Sequence, residues 1–169
     1  MSIPPVTRLS ELDIVQNPAL GGFLIWHFSL GYQEDGADAV SVALAFLLLP
    51  MILHRRTFAE IASTRKASGL PLFAAKFEKD REALMELHGR ALQLRPLSLQ
   101  SIAVATTARL VRLDYASATI HGVQNDLIGA KKPRLPERLK GFPEASAKLG
   151  SWMSKLGIAQ IASTLRVDF

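Results

Sequence analysis

The chain contains no cysteine. That excludes a disulfide framework, a thiolate zinc site and a cysteine nucleophile. Enzyme signatures are lacking as well: there is no GxxxxGK[ST] phosphate loop, no GxSxG nucleophile elbow and no dinucleotide fingerprint. Gly21-Gly22 lies inside an apolar helical stretch and follows no strand, so close helix packing accounts for it better than phosphate binding. His27, His54, His88 and His121 form no HxxxH pair, and none sits beside a carboxylate at ligand spacing. Glu86 and His88 are two apart, on different faces of a helix. No internal repeat or low-complexity segment is present. The expectation is a non-enzymatic protein without cofactor or metal.

A long apolar run is also missing. The most apolar stretch is AFLLLPMILHRR, Ala45 to Arg56. The run that contains it before the charged flank, Val40 to Leu53, has 14 residues, whereas a spanning helix needs about 20. Asp38 on one side and His54-Arg55-Arg56 on the other stop it from extending. It reads as a segment buried on most sides and kinked by Pro50. Its cover is either this chain or another, so Leu47, Leu48, Met51 and Ile52, with Trp152, are candidate partner-interface residues. The first residues, MSIPPVTRLSELDIVQNP, lack the basic start and apolar core of a secretory signal. The expectation is a cytoplasmic protein that meets no membrane.

What is there fits a globular chain. The 169 residues suit one domain with its own core. Hydrophobic residues make up 49% against 21% charged, which is not a disordered composition. A mean hydropathy of +0.18 is high for a soluble monomer of this size: either a short membrane-like run inflates it, or some apolar surface is meant for a partner. The net charge of +5 permits contact with nucleic acid or an acidic protein.

The pattern along the chain predicts mainly α structure with a small β-hairpin. Residues 1–16 read as an N-terminal arm. Asn17-Pro18 starts a helix that runs to about Tyr32, since Asn caps and Pro fits the first turn. Leu20, Phe23, Leu24, His27, Phe28 and Tyr32 then share one face. Thr57-Phe-Ala-Glu60 has the capping-box pattern for another helix, ending near Ser68-Gly69. A helical stretch from Leu70-Pro71 carries a stripe of Leu84, Leu87, Ala91 and Leu92 until Arg95-Pro96 breaks it. A helix over Leu97–Arg109 follows, then two short strands around Ala116-Ser117. Helix, tight turn, helix, hairpin is the closing order of a winged-helix unit, so 17–123 reads as a helical core with winged-helix character. In a DNA reader the second helix presents long polar side chains; the 97–109 helix is too apolar for that and suits protein contact. Residues 124–142 read as a loop, and 143–169 as C-terminal helices closing in a strand, Leu165–Phe169.

The loop is basic. Lys131, Lys132, Arg134, Arg138 and Lys140 stand against one acid, Glu137. Such a loop can neutralise phosphates or meet an acidic partner, and Arg55 and Arg56 carry the same two readings. No base-reading pattern accompanies the charge.

Four landmarks, in this order, resemble a known family. They are Asn17-Pro18-Ala19 opening the first helix, Leu48-Leu49-Pro50-Met51-Ile52-Leu53-His54 closing the apolar run, the helical stretch Phe77–Leu94 followed by the short Leu110–Leu113 strand, and Leu149-Gly150-Ser151-Trp152. Spanning about Asn17 to Val167, they are similar to the middle component of three-component ABC-ATPase systems, which include the Lamassu antiphage systems. The resemblance implies a small helical protein with winged-helix character and no catalytic residues. It implies a connecting role between an SMC-like ABC ATPase with long coiled-coil arms and an effector, often a nuclease, in a complex that senses foreign or abnormal DNA. DNA contact is then expected through the complex. The alternative from the residues alone is a winged-helix transcription regulator.

Overall fold

A computed structural model gives the fold; it describes residues 16–77, 81–124 and 133–169, and of Arg81 the backbone only. The expected N-terminal arm lies, but for its last residue, outside the described residues. Helix α1, Pro18–Gln33, starts where the sequence places it: Asn17 has extended backbone angles, and its Oδ1 accepts the Ala19 N–H at 2.8 Å. It does not show one apolar face. Leu20, Gly21, Gly22, Leu24, Ile25, Trp26, Phe28, Ser29 and Gly31 are all buried, so α1 is a central helix covered on nearly every side.

Its neighbours are two later helices, α6 (Arg95–Thr107) and α7 (Phe142–Ser154). Both approach through small residues. A Cβ added at Gly31 would sit 2.0 Å from the Ala147 carbonyl oxygen of α7, and one at Gly150 would sit 2.1 Å from that of Phe28. At this crossing the two backbones are in contact. At the other end of α1, a Cβ on Gly21 would lie 2.0 Å from Ser101 Oγ on α6. Gly21-Gly22 is a packing site, as its setting in the sequence indicates.

Strand β1 (Val40–Ser41) leads into α2, Val42–Ile52. The Ser41 hydroxyl accepts the Ala43 N–H at 3.2 Å. Leu44, Ala45 and Leu47 to Ile52 are buried, so α2 is wrapped by the rest of the chain. Pro50 does not kink its middle. It stands in the last turn, where the Leu53 N–H still reaches the Leu49 carbonyl at 2.9 Å, and the helix ends two residues later. Among the described residues no single helix is long and apolar enough to cross a membrane. Only α2 with α3 (Arg55–Ser63), a pair bent by 100°, has the length and composition.

Helix α3 begins two residues before the Thr57–Glu60 pattern. His54 is its cap, with Nδ1 accepting the Thr57 N–H at 3.3 Å. The stretch expected as one helix from Leu70 is two, α4 (Gly69–Ala75) and α5 (Arg81–Gln93). Gly69, at φ 78, turns the chain from a 3-10 turn, Lys66–Ser68, into α4. Pro96 falls in the first turn of α6, so α6 starts at Arg95 rather than after the proline.

The hairpin is strands β2 (Val111–Asp114) and β3 (Thr119–Gly122). Asp114 Oδ1 accepts the Ala116 and Ser117 N–H groups at 2.9 and 3.3 Å, which closes the turn. These bonds hold the Asp114 carboxyl below its ordinary range. Val40 pairs with Ile120, giving an antiparallel sheet of order β1-β3-β2. Two side chains of α1 tie the hairpin down. Trp26 Nε1 donates to the Val123 carbonyl at 2.8 Å, and the Gln33 amide both donates to the Gly122 carbonyl and accepts its N–H.

The chain closes with α8 (Ile158–Leu165). No strand forms over 165–169. Leu165 is helical, Arg166 turns the chain at φ 55, and Val167 is buried in the core while its N–H bonds to the Ala162 carbonyl. Leu165 and Val167 are held by core packing, not by a ladder, and Phe169 is half exposed.

Candidate interaction surfaces

The apolar-run residues lie inside this chain. Leu47 is 2% exposed, Leu48, Met51 and Ile52 are fully covered, and Trp152 is 1% exposed with its Nε1 donating to the Lys66 carbonyl at 2.8 Å. Trp152 also packs against Phe73, ring centroids 5.7 Å apart. In this conformation none of the five has area left for another subunit.

Apolar surface is found elsewhere. On α5, Met85 (64% exposed) and Leu92 (58%) are seven residues apart and share a face. On α6, Leu99 is half exposed and Val104, five residues on, is 37% exposed. The exposed residues of α6 are Arg95, Pro96, Leu99, Gln100, Ala103, Val104 and Thr107, and Arg95 at its start is the one charge among them. Its inward residues, Ser98, Ser101, Ile102 and Ala105, meet the core. A groove of about 370 Å³ runs between α5, the start of α2 and the C-terminal residues, with Phe46, Leu92 and Phe169 on its walls. Arg95 lies over the Phe46 ring at 5.7 Å.

The described candidate basic residues come from two segments. Arg55 and Arg56 are exposed in the first turn of α3, and Arg56 sits 5.8 Å from the Phe77 ring. Lys131 and Lys132 lie outside the described residues. Arg134, Arg138 and Lys140 are exposed on the segment before α7, where Lys140 pairs with Glu137. Arg134 and Lys140 flank a cleft of about 510 Å³ whose other described walls are Phe23, His27, Pro133, Leu135 and Pro143. Phe23 and His27 come from α1, so the fold brings an aromatic pair to two of the loop cations.

One polar cluster has no counterpart in the sequence reading. His54 Nδ1 lies 2.7 Å from Thr57 Oγ1, and Arg90 on α5 reaches Thr57 Oγ1 at 3.5 Å and the Ala83 carbonyl at 3.4 Å. Accepting the Thr57 N–H requires Nδ1 to be unprotonated. Burial lowers the His54 pKa below its ordinary 6.5, and the nearby Arg90 lowers it further. Burial also lowers that of Arg90, against the pull of Glu86 3.6 Å away. The cluster joins α3 to α5, and its parts are 36 residues apart in sequence, with no local pattern to reveal them. Lys148 is a second structural cation, donating to the carbonyls of Ile61, Ala62 and Thr64 at the end of α3. Among the described residues no three His, Asp or Glu side chains converge as a metal-ligand set.

No curated protein and no solved structure matches the chain. A family model does, over residues 6–169, and its description is ABC-three component (ABC-3C) system Middle Component 3. That match spans nearly the whole sequence and all the elements described above, so the chain belongs to the Middle Component 3 family of ABC-three component systems.

Proposed function

We propose that this chain is a non-enzymatic connecting subunit that joins an SMC-like ABC ATPase to an effector, often a nuclease, in a cytoplasmic Lamassu-type complex defending bacteria against phages and plasmids. Membership of the middle-component family carries the reading, because such a component works with the other two of its system. The surface supports it. A connecting subunit holds partners through exposed apolar side chains, and α5 and α6 turn Met85, Leu92, Leu99 and Val104 outward. The order of helices and the β1-β3-β2 sheet support a winged-helix ancestry for the core. Beyond Arg95 at its start, the exposed face of α6 has Gln100 as its one long polar residue, which favours protein contact over the transcription-regulator alternative. Arg55, Arg56, Arg134, Arg138 and Lys140 are exposed cations that would face DNA or an acidic partner surface within the assembled complex.

The test is purification of the tagged chain from native lysate of cells carrying the whole system. The ATPase and the effector are expected to come with it, and Leu99→Glu with Val104→Glu is expected to release one of them. Recovery as a lone homodimer that shifts a specific operator would overturn the reading.

A further inference from the structure

We propose that the cleft between α1 and the segment before α7 binds one nucleotide unit of a single strand, base against Phe23 and His27, phosphate between Arg134 and Lys140. Phe23 and His27 are four residues apart on α1 and so share a face. Their ring centroids are 4.6 Å apart at 79°, edge to face. Trp26 backs both, at 5.8 and 4.9 Å, and is itself pinned by its bond to the Val123 carbonyl. The aromatic shelf is therefore rigid before any ligand arrives. Unlike Trp26, Phe23 and His27 are only half-buried, which leaves ring surface facing the cleft.

The opposite wall is fixed too. Leu139 is buried, and it anchors the short 3-10 turn Glu137–Leu139 that presents Lys140. Leu135 packs partly on the core beside Arg134. Among the described lining residues there are two cations and no acid. Glu137 holds Lys140 in an exposed pair, and such a pair is weak enough for a phosphate to displace. Flat apolar faces next to paired cations, in a space of about 510 Å³, match the stacking-plus-charge chemistry of single-strand binding. An acidic peptide would use the cations and leave the ring faces idle.

This deepens the reading of the basic segment as a phosphate contact by adding a base site. Anisotropy of the full-length chain is measured with a labelled oligothymidine, with a duplex of equal length, with free thymidine monophosphate as competitor, and with an acidic peptide as competitor. The oligothymidine is expected to bind more tightly than the duplex. Phe23→Leu, which keeps apolar bulk, is expected to weaken the single strand by at least about fivefold while leaving the duplex unchanged. Arg134→Ala, a surface change, is expected to weaken both and flatten the salt dependence. Competition by free thymidine monophosphate that Phe23→Leu abolishes would assign the same site to a free nucleotide. Equal loss of single strand and duplex in Phe23→Leu, no loss in either, no binding at all, or displacement by the acidic peptide through the same residues would each overturn the proposal. Co-purification of Phe23→Leu with the ATPase and effector separates the two readings, because the connecting role is expected to survive loss of this site.

Discussion

Helices α2 and α6 are both apolar for their length, yet they face opposite ways. In α2 the side chains from Leu47 to Ile52 are all inside. In α6 the buried residues are Ser98, Ser101, Ile102 and Ala105, mostly small, while Leu99 and Val104 look outward. Hydrophobic content therefore does not locate a contact surface in this fold; what packs across from each residue does. Small residues, Ser101 and Ala105, stand where α6 approaches Gly21 and Gly22 of α1 closely, and of its larger apolar residues Ile102 is buried while Leu99 and Val104 are outside.

The comparison breaks most sharply if the helix crossings are filled. Gly31→Val places new carbon atoms on the Ala147 backbone, 2.0 Å from its carbonyl oxygen, and neither helix can yield by rotating a side chain. Loss of soluble folded protein is expected, equivalent to more than about 4 kcal/mol, read by yield and circular dichroism. Leu48→Ala, in the middle of α2, is expected to cost about 2–5 kcal/mol in urea denaturation because it leaves a cavity in a fully covered site. A smaller, pH-dependent effect is expected at His54. Its folded pKa lies below the ordinary 6.5, so the unfolded chain takes up the proton first. The contribution is present above about pH 6.5 and is lost as pH falls below it. Thermal melts should drop in that window, and His54→Gln should flatten the drop. Leu99→Ala on α6 sits at the other end: less than about 0.5 kcal/mol in stability is expected, with the effect appearing in partner recovery instead. A large loss of stability there would place Leu99 in the core and remove the contrast with α2.

Much of this was legible where the signal is local. Asn17-Pro18 caps α1 because the side chain and ring act within one turn. The hairpin turn follows from Asp114 and its neighbours, and the brevity of the apolar run with its charged flanks already marked it as buried. What escaped depends on distant partners. β1 is two residues long and exists only because β3 lies beside it. His54 caps α3 by its ring, which no short capping pattern anticipates, and Leu165 and Val167 are satisfied by the core rather than by a strand. The cleft was half visible. Arg134 and Lys140 stand out as charge, but Phe23 and His27, more than 100 residues earlier, read only as part of a helix face. Their meeting is a property of how α1 lies on α7.

That contact has a mechanical side. Where Gly31 and Gly150 meet, there is no side-chain cushion between the two helices, so α1 and α7 move as one strut. Phe23 and His27 stand on one member, and Pro143 opens the other next to the basic segment. A shift of either helix toward the other meets backbone at this crossing rather than a side chain that could rotate away.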